Sequence, residues 1–468
     1  MDKILGCKDK IYKISNIGKL ITGTKQGSVM IKENVEMLIK NGKIQKIDNK
    51  ISTNSQVPNI DAKSCMITPG FVDPHTHLSP PSDRAKEFAL RPIKSYQEIA
   101  AEGGGILSSV KAVRGDKIDN IISANFKHLT RFYQNGTTTV EIKSGYGLST
   151  EEELKLLKSI KELQSVFKDK LTIIPTFLGA HAIPPEFKGN TDKYVDLIIN
   201  EMLPEVAKHN LAEFVDIFCE KGYFNIDQSE RILKKALEVG LKIKLHADEF
   251  VDSGAAELAG KYLAFSADHL MAVSDQGIEA MRKNNVIATI LPGTTIFLGK
   301  TSFAPARKMI DAGVTVALAT DFNPGSSNFQ SQPLMMNFAM NFTKMTLEES
   351  FLAVTRNAAL SLDRRNIGIL EENCMADMII WDNYLNHINQ IPYFNVSSSN
   401  YIKAIIKSGN VDYFNSSINN PVQFKFNSPI NEEREKFLNI VKEISQKCEF
   451  NEDNQICNIP EVFKKFYL

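Results

Sequence analysis

Two histidines stand one residue apart in the segment PGFVDPHTHL, as His75-Thr76-His77. On extended backbone, residues i and i+2 face the same side, so both imidazoles project together. Three further histidines close apolar runs, His181 in FLGAH, His246 in KIKLHADE and His269 in SADHL; Asp321 closes another in VTVALATDFNPG. One histidine at the end of such a run is ordinarily a satisfied polar residue near a core. Groups of this kind at five separate run ends point instead to a single cluster. Three imidazoles and one carboxylate suit a borderline divalent ion such as Zn²⁺ and leave it a position for water. With one carboxylate the ion keeps a charge of about +1, which lowers the pKa of that water toward ~7. Glu249, three residues after His246, is placed to move a proton between water and a substrate. It reads equally as a carboxylate favoured by the start of a helix.

These residues meet only if the runs that carry them lie side by side. Between residues 70 and 319 there are eight short apolar stretches, at 70–73, 137–143, 171–177, 214–218, 242–246, 264–267, 286–290 and 314–319. Longer amphipathic stretches separate them. One is 151–167, with Leu154, Leu157 and Ile160 on one face, and its start, Ser149-Thr150-Glu151-Glu152, has the form of a capping box. Eight strands alternating with helices predict a closed parallel (β/α)₈ TIM-like barrel, whose chemistry sits at the C-terminal ends of its strands. The first seventy residues read differently, as short strands at 28–30 and 36–39 with a hairpin signal at Asn41-Gly42. That style returns at 376–381 and at 401–407, before Ser408-Gly409-Asn410. We therefore expect an α/β chain in three parts. Residues 1–69 plus 370–410 form a small β-sandwich-like domain from both chain ends, 70–369 form the barrel, and 411–468 form an extension with one amphipathic helix candidate at 431–447.

Bulk composition narrows the partners. Lys and Arg number 55, as do Asp and Glu, so charge offers no footprint for nucleic acid or a membrane surface, and a small molecule is the expected partner. Six cysteines lie far apart, at Cys7, Cys65, Cys219, Cys374, Cys448 and Cys457, with no C-x-x-C pair, which reads as reduced thiols and a cytoplasmic setting. Cys219 ends a strand without an evident base beside it, and we read it as a buried thiol. The opening MDKILGCKDKIYKI carries charges throughout, unlike a signal peptide, and no run has the ~18 uncharged apolar residues of a membrane span.

The motifs are also specific enough to compare. PGFVDPHTHL, the later histidines and the terminal ATD resemble the amidohydrolase superfamily. Within it the chain is similar to the imidazolonepropionase family, on SDRAKEF (82–88), AAEGGGILSSV (100–110), VEIKSGYGL (140–148), TFLGAHAIPPE (176–186), LHADEF (245–250), SADHL (266–270) and ATDFNPGSS (319–327). The resemblance implies hydrolysis of 4-imidazolone-5-propanoate to N-formimino-L-glutamate, a step of histidine degradation, by a homodimer with one zinc or iron ion per chain. It implies metal ligands His75, His77, His246 and Asp321, with Glu249, His269 and Asp321 as catalytic groups. Either Glu249 or Asp321 would pass a proton to the departing ring nitrogen. Arg84 would hold the propionate carboxylate, Tyr146, His181 and Glu249 would line the pocket, and Asn323, Gly325 and Ser326 would contact the opened ring. Arg84 alternatively forms a loop salt bridge, and Ser79-Pro80-Pro81-Ser82 replaces the glycine-containing stretch usual before it. A guanine- or cytosine-type deaminase shares the ligand set but has no need of Arg84 or KSGYGL. A binding scaffold without activity predicts lost ligands, and all are present.

Overall fold

The computed structural model describes residues 11–94, 98–99 and 102–413. The helix candidate at 431–447, the residues before 11, and Cys7, Cys448 and Cys457 lie outside the described residues.

Eight strands form one parallel sheet in chain order: β6 (Phe71–Asp73), β7 (Thr137–Lys143), β8 (Thr172–Ala180), β9 (Phe214–Cys219), β10 (Lys242–Ala247), β11 (Ser266–His269), β12 (Ile287–Ile290) and β13 (Val316–Leu318). Each corresponds to one of the eight predicted stretches. β8 runs on to Ala180, which carries His181 to the sheet's C-terminal edge. Helices between the strands bury their apolar faces on the sheet. That of Thr150–Phe167 buries Leu156, Leu157, Ile160, Leu163 and Phe167 at helical spacing. Only half of the expected capping box forms. Ser149 accepts from the Glu152 amide (3.4 Å), while the Glu152 carboxylate pairs with Lys155 (2.6 Å) rather than reaching back.

The first and last strands of this sheet are joined through their extensions. The Asp321 amide donates to the His75 carbonyl (3.1 Å), and the His77 amide to that of Phe322 (2.9 Å). Asp73 accepts from the Thr320 amide and hydroxyl (3.2 and 2.7 Å), and Gln332 Nε2 donates to the carbonyls of Val72 and Leu318 (2.9 and 3.3 Å). The barrel's seam is thus sewn largely by side chains, and it runs past His75, His77 and Asp321.

A second sheet collects both chain ends. β1 (Ile11–Gly23), β2 (Val29–Lys40), β3 (Lys43–Asp48), β4 (Asn59–Asp61) and β5 (Met66–Pro69) join β14 (Met378–Trp381), β15 (Ile402–Lys407) and β16 (Asn410–Tyr413) in the order β16-β15-β14-β5-β1-β2-β3, with β4 alongside β1. The two predicted pieces at 28–30 and 36–39 are one strand, β2. Its core holds Ile14, Ile17 and Leu20 from the N-terminal side with Met378, Ile380 and Ile406 from the C-terminal side. Asn41-Gly42 and Ser408-Gly409 make two-residue turns with positive φ throughout, at 52° and 77°, and at 48° and 76°. That is the backbone which a tight antiparallel hairpin asks for. The two turns pack back to back: a Cβ on Gly409 would lie 2.9 Å from Gly42 Cα. Only glycine fits there.

Candidate active site

The strand ends bring the predicted histidines together. Ring centroids lie 5.3 Å apart for His75 and His77, 4.6 Å for His75 and His246, and 5.0 Å for His246 and His269. Asp321 Oδ1 lies 3.5 Å from His75 Nε2 and 3.3 Å from His77 Nε2, and all of these groups are buried. His75 Nδ1 donates to Asp268 (2.6 Å), and His246 Nδ1 lies 2.9 Å from Asp216. A carboxylate behind an imidazole fixes its tautomer and leaves Nε2 with its lone pair toward the centre. Burial, reinforced by Lys143 and the neighbouring imidazoles, pushes His75 well below the usual histidine range; burial, with His246 and Lys143, does the same for His77. Neutral imidazoles are what a metal ion requires.

His75 Nε2 and Asp321 Oδ1 are buried without a hydrogen bond, an arrangement that costs free energy unless something else binds them. His75, His77 and Asp321 offer ligand atoms within 4.8 Å of one another, as do His75, His246 and His269. Asp321 Oδ2 accepts from Thr294 (2.6 Å), so one carboxylate oxygen is held and the other faces the histidines. These residues fit a divalent ion.

Above them lies an open cavity of about 460 Å³, a volume that takes in solvent at its mouth. It is lined by His77, His246, His269, Glu249 and Asp321, and also by Arg84, Tyr146, His181, Asn323 and Ser326. Burial, with the Asp321 charge adding to it, pushes the Glu249 carboxyl up to about 8, and burial takes His269 down to about 3. Arg84 lines the cavity, and its Nε and Nη2 donate to Glu87 (2.9 and 2.6 Å), the loop salt bridge of its alternative reading. Glu87 accepts also from the Gly105 amide (3.1 Å) and Ser108 hydroxyl (2.6 Å), so the SDRAKEF and GGGILS segments are tied together there. Gly325 stands against the guanidinium: a Cβ there would lie 1.9 Å from Arg84 Nη1. Asn323 Oδ1 accepts from the amides of Gly325 and Ser326 (2.8 and 2.7 Å) and shapes this turn. Cys219 is buried and its thiol is pushed up to about 12 by burial, in keeping with an inert core thiol.

Sequence reasoning missed three sets of residues. Phe218, Tyr223, Phe250, Ile106 and Leu298 form the cavity's apolar wall. Glu153 is fully buried and accepts from the amides of Gly145 (3.1 Å), Gly147 (2.7 Å) and Leu148 (2.9 Å), so it anchors the loop that carries Tyr146. Beneath the histidines, Glu141, Lys143, Asp216, Lys244 and Asp268 form a fully buried ion network. Glu141–Lys143 and Lys244–His246 share a strand face at spacing two, a pattern that a solvated face shows equally.

A sequence profile named Amidohydrolase family matches residues 66–411. The chain is 46% identical to the imidazolonepropionase of Thermoanaerobacter pseudethanolicus over 409 residues, covering 85% of this chain and 96% of that one. It is 44% identical to that of Caldanaerobacter subterraneus over 399 residues, covering 81% and 95%. The chain belongs to the imidazolonepropionase family of amidohydrolases. Among solved structures, guanine deaminase from C. acetobutylicum with bound guanine shares the fold at a TM-score of 0.68 and 16% identity, covering 86% of this chain and all of the other. Identity so low speaks for the fold alone. No described helix is long and apolar enough to cross a membrane.

Proposed function

We propose that this chain hydrolyses 4-imidazolone-5-propanoate to N-formimino-L-glutamate, with His75, His77, His246 and Asp321 holding one zinc or iron ion. What carries the reading is one cavity that unites an arginine, fixed at its base by Glu87, with the histidine and aspartate cluster. An ion in that cluster, when bound, would supply Lewis acidity toward the lactam carbonyl and lower the pKa of water. The chain's own residues do the rest. Arg84 offers its guanidinium to the propionate carboxylate, a planar fork that suits a two-oxygen anion. Tyr146 and His181 hold the ring, and Phe218, Tyr223 and Phe250 keep bulk water from it. His269, neutral at physiological pH because of its burial, orients toward the carbonyl oxygen as charge develops there. Glu249, with a proton held to about pH 8, is suited to deliver that proton to the departing ring nitrogen. Asn323, Gly325 and Ser326 receive the opened product. We read the reaction as cytoplasmic, a setting in which the buried free thiols of Cys65, Cys219 and Cys374 would stay reduced. The enzyme is read as a homodimer.

The test couples metal analysis to loss of the imidazolone absorbance. About one ion per chain with turnover is expected. Metal without turnover would assign the cavity to another cyclic amide, and absence of both would end the metal-hydrolase reading.

A further inference from the structure

The ion network beneath the histidines has a chemistry of its own. Lys143 Nζ lies 2.6 Å from Glu141, 2.8 Å from Asp216 and 3.9 Å from Asp268. Lys244 Nζ donates to the Pro74 carbonyl (2.6 Å) and lies 3.5 Å from Glu141 and 3.6 Å from Asp268. All five side chains are fully buried, and three carboxylates face two ammonium groups. Each ion of this kind costs several kcal/mol to desolvate unless it is paired. Remove Lys143 and three carboxylates surround one ammonium, in a place that water does not reach.

The same oxygens are metal-ligand material. Asp216 and Asp268, with His75, offer donor atoms within 4.8 Å of one another, a third ligand group within reach of the first two. Glu141 Oε2 and Asp268 Oδ1 are buried there without hydrogen-bond partners. Histidines and bridging carboxylates spaced like this can hold two ions, and Lys143 stands among the carboxylates.

We infer that Lys143 is a built-in cation: its ammonium fills a second cation position formed by Glu141, Asp216 and Asp268, and so limits the centre to one divalent ion. Lys244 adds a second positive charge beside two of these carboxylates, Glu141 and Asp268. The charge also keeps Asp216 and Asp268 turned toward His246 and His75, where they fix the two ring tautomers. This inference rests on the reading that His75, His77, His246 and Asp321 hold one ion, and the experiment separates the two.

Wild type and Lys143→Ala are each equilibrated with excess Zn²⁺, desalted and measured for zinc by mass spectrometry. Thermal melting is followed with and without Zn²⁺. Wild type should hold one ion and the variant two, and Zn²⁺ should raise the variant's melting temperature more than that of wild type. A variant that is loosened without metal should regain its fold with Zn²⁺, because a divalent ion restores the lost charge. A folded variant that holds one ion, a wild type that holds two, or a variant that Zn²⁺ does not restore would overturn the inference. A wild type that holds none would overturn the four-ligand reading instead.

Discussion

His269 and Asp321 both have backbones in the left-handed region, with φ of 79° and 52°. Few residues other than glycine settle there without cost, and such conformations gather where function holds them. At both, the turn at the strand end aims the side chain back over the barrel mouth. On the proposed mechanism, Glu249 is the residue whose removal should separate chemistry from binding. Glu249→Gln keeps the shape but has no proton to exchange, so kcat should fall by about 10²–10⁴ with zinc content unchanged; loss of metal alongside would make Glu249 structural. Arg84→Ala should act on the other parameter. Hydrogen bonds to a charged partner contribute about 1.5–3 kcal/mol, so KM should rise by about 10- to 100-fold while metal content stays that of wild type. An unchanged KM would confine Arg84 to its salt bridge with Glu87.

At the scale of elements, strand ends were legible because a polar residue that closes an apolar run is conspicuous. His75, His77, His246 and Asp321 stand out for that reason. The inward ion network was hidden by the same rule. V-E-I-K over β7 and K-I-K over β10 alternate as a solvated strand face does, and only closure of the barrel turns Glu141, Lys143 and Lys244 inward. Glu153 was hidden in another way. In T-E-E-E it looks like one of several exposed first-turn carboxylates, and which of them turns inward depends on the loop it meets. Its replacement is informative. In Glu153→Gln an amide nitrogen replaces one oxygen, so either Gly145 or the Gly147 and Leu148 pair faces a donor. An unmet buried amide costs about 1–3 kcal/mol. We expect a lower denaturation midpoint and, because the loop carries Tyr146, a raised KM. A stability loss with KM unmoved would place Tyr146 outside substrate binding.

Across the whole molecule, the barrel's closing seam shapes the response to acid. His128, in the helix of Ile118–Gln134, packs on Phe322 with ring centroids 4.7 Å apart and meets Gln330 (3.2 Å). Burial, with Arg131 and Lys127 adding to it, pushes its pKa down to about 4. The unfolded chain takes up this proton near pH 6.5, so the folded form binds it more weakly. The contribution to stability is complete above pH 6.5 and is lost as pH falls through 4. His128→Gln, which stays neutral throughout, should therefore lose less melting temperature than wild type between pH 6.5 and 4. Equal losses would mean that the imidazole is protonated without strain.

The mixing of both chain ends in one sheet also sets a schedule for synthesis. β5 pairs on one side with β1 and on the other with β14, which is encoded about 300 residues later. At roughly 5–20 residues per second the ribosome takes some tens of seconds to cover that distance. For that time the edge of β5 and the apolar side chains of β1 and β2 have emerged without the strands that cover them. Until Met378–Trp381 is made, the nascent chain presents an open sheet edge, the form of β structure most apt to pair with a neighbour.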